Sequence, residues 1–134
     1  MEAKVHLWWD DEQWQQALSR NASDRMGTAC LVLERDIKSH FGTRQAPGVV
    51  TGRLKSSITS NWTGRRTSPR GNKWGDNPMG DPGGGWPIIK GRVGSNVSYA
   101  EPLEYGWGYS RPYPFLRPAL ERNRGNIARL FQGI

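Results

Sequence analysis

Glu101 and Glu104 stand three residues apart, a spacing that sets two carboxylates on one face of a short helix, where such a pair can exchange protons with a substrate. Lone carboxylates more commonly cap, bridge or face solvent. No phosphate-binding glycine loop with its lysine accompanies them, and no nucleophile elbow. The run Gly83-Gly84-Gly85 lacks the lysine and the following helix that a P-loop needs, so chain flexibility is its reading. His6 and His40 have no cysteine or carboxylate at ligand spacing, which leaves a zinc site nothing to build on. The single cysteine, Cys30, excludes an internal disulfide and falls on the apolar phase of a helix, as a core thiol does. The expectation is a protein without catalytic residues, metal or cofactor.

Charge is the second chemical signal. Residues 1–24 hold five acids and two bases, a net −3 that leaves +10 on the remainder of a chain whose total is +7. Arg65, Arg66, Arg70 and Lys73 cluster in one loop, with Trp74 beside them. Arg111, Arg117, Arg122, Arg124 and Arg129 gather toward the C-terminus. Basic groups so grouped attract phosphate or acidic protein surfaces, although any one arginine on a surface needs no partner.

The aromatics supply the third. Residues 99–120, YAEPLEYGWGYSRPYPFLRPAL, contain four prolines and six aromatics. Pro112, Pro114 and Pro118 each fix φ and bias the residue before them to extended backbone, which stiffens the chain up to a helix start near Pro118. Aromatic side chains on a stiff support suit a protein contact. Tyr99, Glu104, Tyr105, Trp107, Tyr109, Arg111, Tyr113 and Arg117 are the expected contact residues, because aromatics and arginine dominate interface energetics. Trp107, between Gly106 and Gly108, and Tyr109, after them, lead this set; Tyr99 is open to a core role as well.

The elements that must carry these groups follow from periodicity. Asp10 or Asp11 can cap a helix with Trp14 and Leu18 on its apolar side, and Met26, Cys30, Leu33, Ile37 and Phe41 follow at spacings of four, three, four and four. These two runs make one long helix or break near 21–24. Residues 53–58 read as a short helical turn, and Ile58, Ser60 and Trp62 alternate as a strand. A second strand is expected at 88–94. Between them, residues 67–86 have no periodicity and six glycines, so they read as a long loop inserted in a hairpin, carrying the basic cluster outward to a neighbour or to DNA. A last helix starts around Pro118 with Leu120, Ile127 and Leu130 on one side. Gly125 weakens its middle, and a break there would free 127–134 to dock on a partner. The class is α+β: a long N-terminal helix or helix pair, a small antiparallel sheet and a C-terminal helix. Trp14, Leu18, Met26, Cys30, Leu33, Ile37, Phe115, Leu116 and Leu120 are the expected core.

At 134 residues and 35% hydrophobic composition, with 17 glycines and 9 prolines, the chain reads as one domain with a modest core. No run approaches the roughly 20 apolar residues that cross a bilayer, and the first residues lack a signal peptide's apolar stretch, so the expected site of synthesis is the cytoplasm, with no membrane partner.

Three short blocks appear in a fixed order. The first is T-G-x-L-x-x-S-I at Thr51, Gly52, Leu54, Ser57 and Ile58; the second is Y-A-x-x-x-E-x-G at Tyr99, Ala100, Glu104 and Gly106; the third is P-F-L-x-P-A-L at 114–120. In order, spacing and chain length the sequence resembles the neck or tail-completion proteins that join head to tail in long-tailed bacteriophages. The likeness spans about 50–126 and lapses across 67–86. It implies a structural subunit that forms a ring, by family expectation a hexamer, around the DNA channel between the head-closure layer and the tail terminator, with DNA passing through the lumen without sequence readout. Tail-terminator and head-closure roles in the same assembly share this size range. The competing reading from composition is a free nucleic-acid-binding protein, since a pI near 10.1 and seven tryptophans combine phosphate neutralisation with base stacking. No helix-turn-helix, RNP-type or zinc-finger pattern supports it.

Overall fold

The computed structural model describes residues 12–41, 52–106, 108, 111–112 and 114–132. Six elements run in the order α1 (Glu12–His40), α2 (Arg53–Ser57), β1 (Thr59–Trp62), β2 (Gly91–Gly94), α3 (Ala100–Tyr105) and α4 (Arg117–Leu130). The fold is α+β, with a two-stranded antiparallel sheet between the long first helix and the long loop.

α1 is one helix of 29 residues and does not break at 21–24. Serine and aspartate there favour breaks because their side chains compete for the helix backbone. Here the Ser23 hydroxyl donates instead to the carbonyl of Thr63, beyond the end of β1, so tertiary structure removes the competition. Lys38 pairs with Glu34 at 3.2 Å, four residues earlier, and basic groups occupy the last turn where the helix dipole favours them.

Two packing regimes follow along α1. In its middle, the β2 backbone lies directly on the helix: a Cβ added to Gly91 would sit 2.6 Å from Cys30 Sγ and 2.8 Å from Met26 Sδ. Nothing larger than glycine fits there without movement. Toward its C-terminal end, Ile37 and Phe41 enter a core with Leu54, Ile58, Val97, Ala100, Phe115 and Ala119. The Phe41 and Phe115 rings meet with centroids 5.6 Å apart and a 51° tilt, a favoured aromatic geometry. Cys30 and Leu33 belong to this stripe as the spacing predicts. Cys30 is buried, which pushes its thiol up to about 11, while Met26, Leu18 and Leu33 are half-buried. Of Trp14, whose side chain lies outside the described residues, only the backbone is placed.

β1 and β2 pair with Thr59 opposite Gly94 and Trp62 opposite Gly91. β2 begins at Gly91 rather than at Ile88. Ile88 is held instead in a tight turn: its N–H donates to Gly85 O at 2.6 Å, and Gly85 N–H donates back to Ile88 O at 2.8 Å.

The alternation of β1 has a consequence that polarity alone hides. Ser60 and Trp62 face α1, where Ser60 Oγ donates to Glu34 at 3.1 Å. Thr59, Asn61 and Thr63 face the opposite way, and all three are buried. What covers them is the inserted loop. Met79 N–H donates to Thr59 Oγ1 at 2.8 Å, Asn61 Nδ2 donates to Met79 O at 3.3 Å, and Thr63 Oγ1 donates to Gly83 O at 2.6 Å. Farther along, Arg53 makes a two-pronged pair with Asp76 at 3.0 and 2.7 Å. Asn72 adds a 2.8 Å bond to the same carboxylate and accepts the backbone N–H groups of Trp74 and Asp76. The loop expected to project outward is thus folded down on the sheet, because the hairpin's outer side chains satisfy its backbone.

α4 runs unbroken through Gly125 and lies antiparallel to α1, with Arg122 bonded to Asp36 at 2.8 Å. Ala119 and Asn123 are buried, with Ile127 and Leu130 half-buried on the same side as expected, whereas Leu120 lies at its margin. Ala119 lets the two helices approach, and Leu120, turned about 100° away, is 44% exposed rather than core. The end of α4 is held as well. Arg25 Nη1 donates to the carbonyls of Leu130 and Gln132 at 2.8 Å each, a cation where a helix C-terminus favours one. The freed C-terminal segment expected after Gly125 is therefore docked through Gln132.

Candidate functional site

Several fixed positions of the three sequence blocks have a structural task. In the first, Gly52 opens α2 at φ +79°, Leu54 and Ile58 enter the core, and Ser57 Oγ sits 2.6 Å from both Leu54 O and Ser95 Oγ. Thr51 lies outside the described residues. In the second, Ala100 is buried and Gly106 ends α3 at φ +82°, a conformation that side chains disfavour, with its N–H on Pro102 O at 2.8 Å.

The second and third blocks then meet through one side chain. Glu104, on the last turn of α3, is only 8% exposed. Its Oε2 accepts the backbone N–H groups of Phe115 at 2.7 Å and Leu116 at 3.0 Å, and Oε1 accepts that of Arg117 at 2.8 Å. The residue at the N-cap of α4 is Leu116, which has no side-chain acceptor. Glu104 supplies from outside what the helix start lacks, and its negative charge suits the positive end of the helix dipole. The three bonds also compensate the desolvation of the carboxylate. Glu104 thus fixes an internal joint and does not present its carboxylate to a partner or a substrate. Glu101, three residues earlier on the same helix, is exposed.

The joint leaves a surface feature. Between β2 and the adjoining ends of α3 and α4 runs a groove of about 260 Å³, lined by Leu33 and Ile37 of α1 and by Val93, Glu104, Tyr105, Leu116 and Leu120. Tyr105 is 67% exposed at its rim. Arg117 adds a positive charge, and its side chain is exposed.

Of the expected contact residues, Tyr99, Tyr105, Arg111 and Arg117 are exposed. Trp107, Tyr109 and Tyr113 lie outside the described residues. Phe115 is core, and Leu116 packs against it. The basic loop residues divide. Arg66 and Arg70 are exposed, whereas Arg65 lies 4.5 Å over the Trp62 ring and donates to Ser60 O, and Lys73 Nζ sits 4.6 Å over Trp74. Trp62 and Trp74 are therefore each covered on one face by a cation of their own chain.

Sequence reasoning missed Glu104 as a cap, Arg25 as its counterpart at the other end of α4, and the Arg53–Asp76 fork. The signal for the first was present: a helix start at Arg117-Pro118 preceded by Leu116, with no local capping residue. Among the described residues no group of three histidine, cysteine or acidic side chains could hold a metal ion, and no helix is long and apolar enough to cross a membrane. Comparison with protein-family models, with curated proteins and with solved structures gives no match for this chain.

Proposed function

We propose that this chain is a structural subunit of a tailed-phage virion, forming a ring in the neck between the head-closure layer and the tail terminator, with DNA passing through its lumen. The observation that carries the reading is the Glu104 joint. Two blocks that resemble the neck family are separated in sequence, and the Glu104 carboxylate of one binds the first amides of the helix in the other. Their meeting in a single mechanical unit supports reading the two blocks together.

The surface beside that unit suits assembly. Tyr105 and Leu120 flank an apolar groove on the same face, and a subunit that meets its neighbours head to tail needs such a face opposite a different complementary one. The uneven charge, acidic over the first 24 residues and basic beyond, provides complementary ends for the same contact. The nucleic-acid reading loses support where Arg65 and Lys73 cover Trp62 and Trp74, since stacking on bases needs those rings open.

The test is genetic and morphological. Removing the coding sequence from the phage that carries it should leave DNA-filled heads and finished tails that do not join. Joined, infectious particles without the chain would contradict the assignment.

A further inference from the structure

The two edges of the sheet are not alike. Thr63 N–H donates to Lys90 O at 2.9 Å, which fixes the phase of the ladder. By antiparallel alternation, Ser60 and Trp62 of β1, and Gly91 and Val93 of β2, turn their backbone groups away from the partner strand. On β1 those groups are occupied: Arg65 donates to Ser60 O through its guanidinium and to Trp62 O through its backbone N–H, and Asn61 Oδ1 accepts Trp62 N–H. On β2, no hydrogen bond among the described residues covers the outward groups of Gly91 and Val93. That edge borders the apolar groove, since Val93 forms its wall and no β1 residue lines it. An open edge beside an apolar slot accepts an extended, alternating segment.

The chain contains one such segment outside the described residues. Residues 1–11, MEAKVHLWWDD, place Val5, Leu7 and Trp9 at alternate positions and end in Asp10 and Asp11. An antiparallel register with Leu7 opposite Val93 puts Val5, Leu7 and Trp9 on the groove side and sets Asp10 opposite Lys90, which is exposed with Arg92 beside it. Arg117 adds charge of the same complementary sign.

In that register the segment comes from another molecule. In that register Trp9 lies beside Gly91, which rests on Met26 and Cys30, about 21 and 27 Å along α1 from Glu12. Three residue steps from Trp9 to Glu12 reach about 10 Å. We propose that the groove and the free edge of β2 bind residues 4–11 of a second copy of this chain, added as a third, antiparallel strand. Donation passed on from each subunit to the next yields a ring or an open chain, whereas reciprocal exchange between two copies closes a pair. The inference rests on the self-association part of the proposed function and not on its place in a virion.

The test uses the full-length chain carrying Leu7→Asp and Trp9→Asp, so that its own segment does not fill grooves, titrated with a synthetic peptide of residues 1–11 and followed by backbone NMR. The expected result is saturable binding with the largest shifts at Leu33, Val93, Tyr105 and Leu120. A peptide with the same two substitutions should bind at least about tenfold more weakly, as expected for losing two buried apolar side chains. No saturable shift at these residues overturns the proposal. So do equal shifts from both peptides at exposed arginines, which would report charge alone. Absence of the chain from particles would overturn the virion role and leave this result standing, so the two failures are separable.

Discussion

α4 and the loop 67–86 are both attached to the frame of α1 and the hairpin, yet by different means. α4 sinks Phe115 and Ala119 into the core, takes a buried carboxylate at its start and a guanidinium at its end. The loop contributes Met79 beside Gly94 but is otherwise held by hydrogen bonds from Thr59, Asn61 and Thr63 and by the Arg53–Asp76 fork. Apolar burial ties an element to global stability, whereas a polar set of contacts near solvent can open by itself. The difference teaches that α4 should unfold only with the whole domain and that the loop can detach first.

The comparison breaks most visibly at Phe115. Phe115→Ala should cost about 3–5 kcal/mol in urea unfolding, with the α1 and α4 signals lost together. A small cost, or a C-terminal helix that melts before the rest, would put α4 in the same class as the loop. Glu104→Ala comes next. It leaves three amide donors without their charged acceptor and should cost about 3 kcal/mol, again global, as read by circular dichroism through the transition.

Gly91→Ala sharpens the account of the frame itself. A methyl group at that site meets Cys30 Sγ at 2.6 Å, and overpacking of this kind costs about 1–3 kcal/mol, measurable as a fall in Tm.

These three sites differ in how far the sequence reveals them. Phe115 and the α1 stripe from Met26 to Phe41 are legible because an apolar side chain repeating at helical spacing has one economical place to go. Leu120 departs from the same pattern: it stands at the margin of the stripe that holds Ile127 and Leu130, and the close approach of α4 to α1 is made by its small neighbour Ala119 and by Asn123. The Glu104 joint is illegible in any local window, because donor and acceptor are more than ten residues apart and a glutamate there has the same identity whether it caps, contacts or catalyses. The covered outer face of β1 is hidden too. Thr59, Asn61 and Thr63 look like a solvent-facing strand edge, and only the backbone of an aperiodic loop makes them interior.

The loop predictions are smaller and local. Arg53 first, then Asn72, hold the Asp76 carboxyl down at about 2 from its ordinary 3.8. Because the folded value is depressed, the contribution of the fork is complete above about pH 4 and is lost as pH falls through 2. Protection of the Trp74 and Asp76 amides, relative to their unfolded exchange rates at the same pH, should therefore fall between those values while the α1 amides stay protected, and Asp76→Asn should remove this loss. Exchange that rises in both regions together would show that the loop is not separable. Gly125→Ala is the mildest change. Its added methyl group meets nothing within 4 Å, so α4 should gain up to about 1 kcal/mol. A loss of stability there would mean that the exposed side of α4 is already packed against something.

The most direct test of the central claim is averaged imaging of the neck in particles whose copy of this chain carries a small C-terminal tag. The account predicts a closed ring of tagged density at the head–tail junction, with the lumen open to DNA. Tag density elsewhere on the particle, or none in tailed particles, would contradict it.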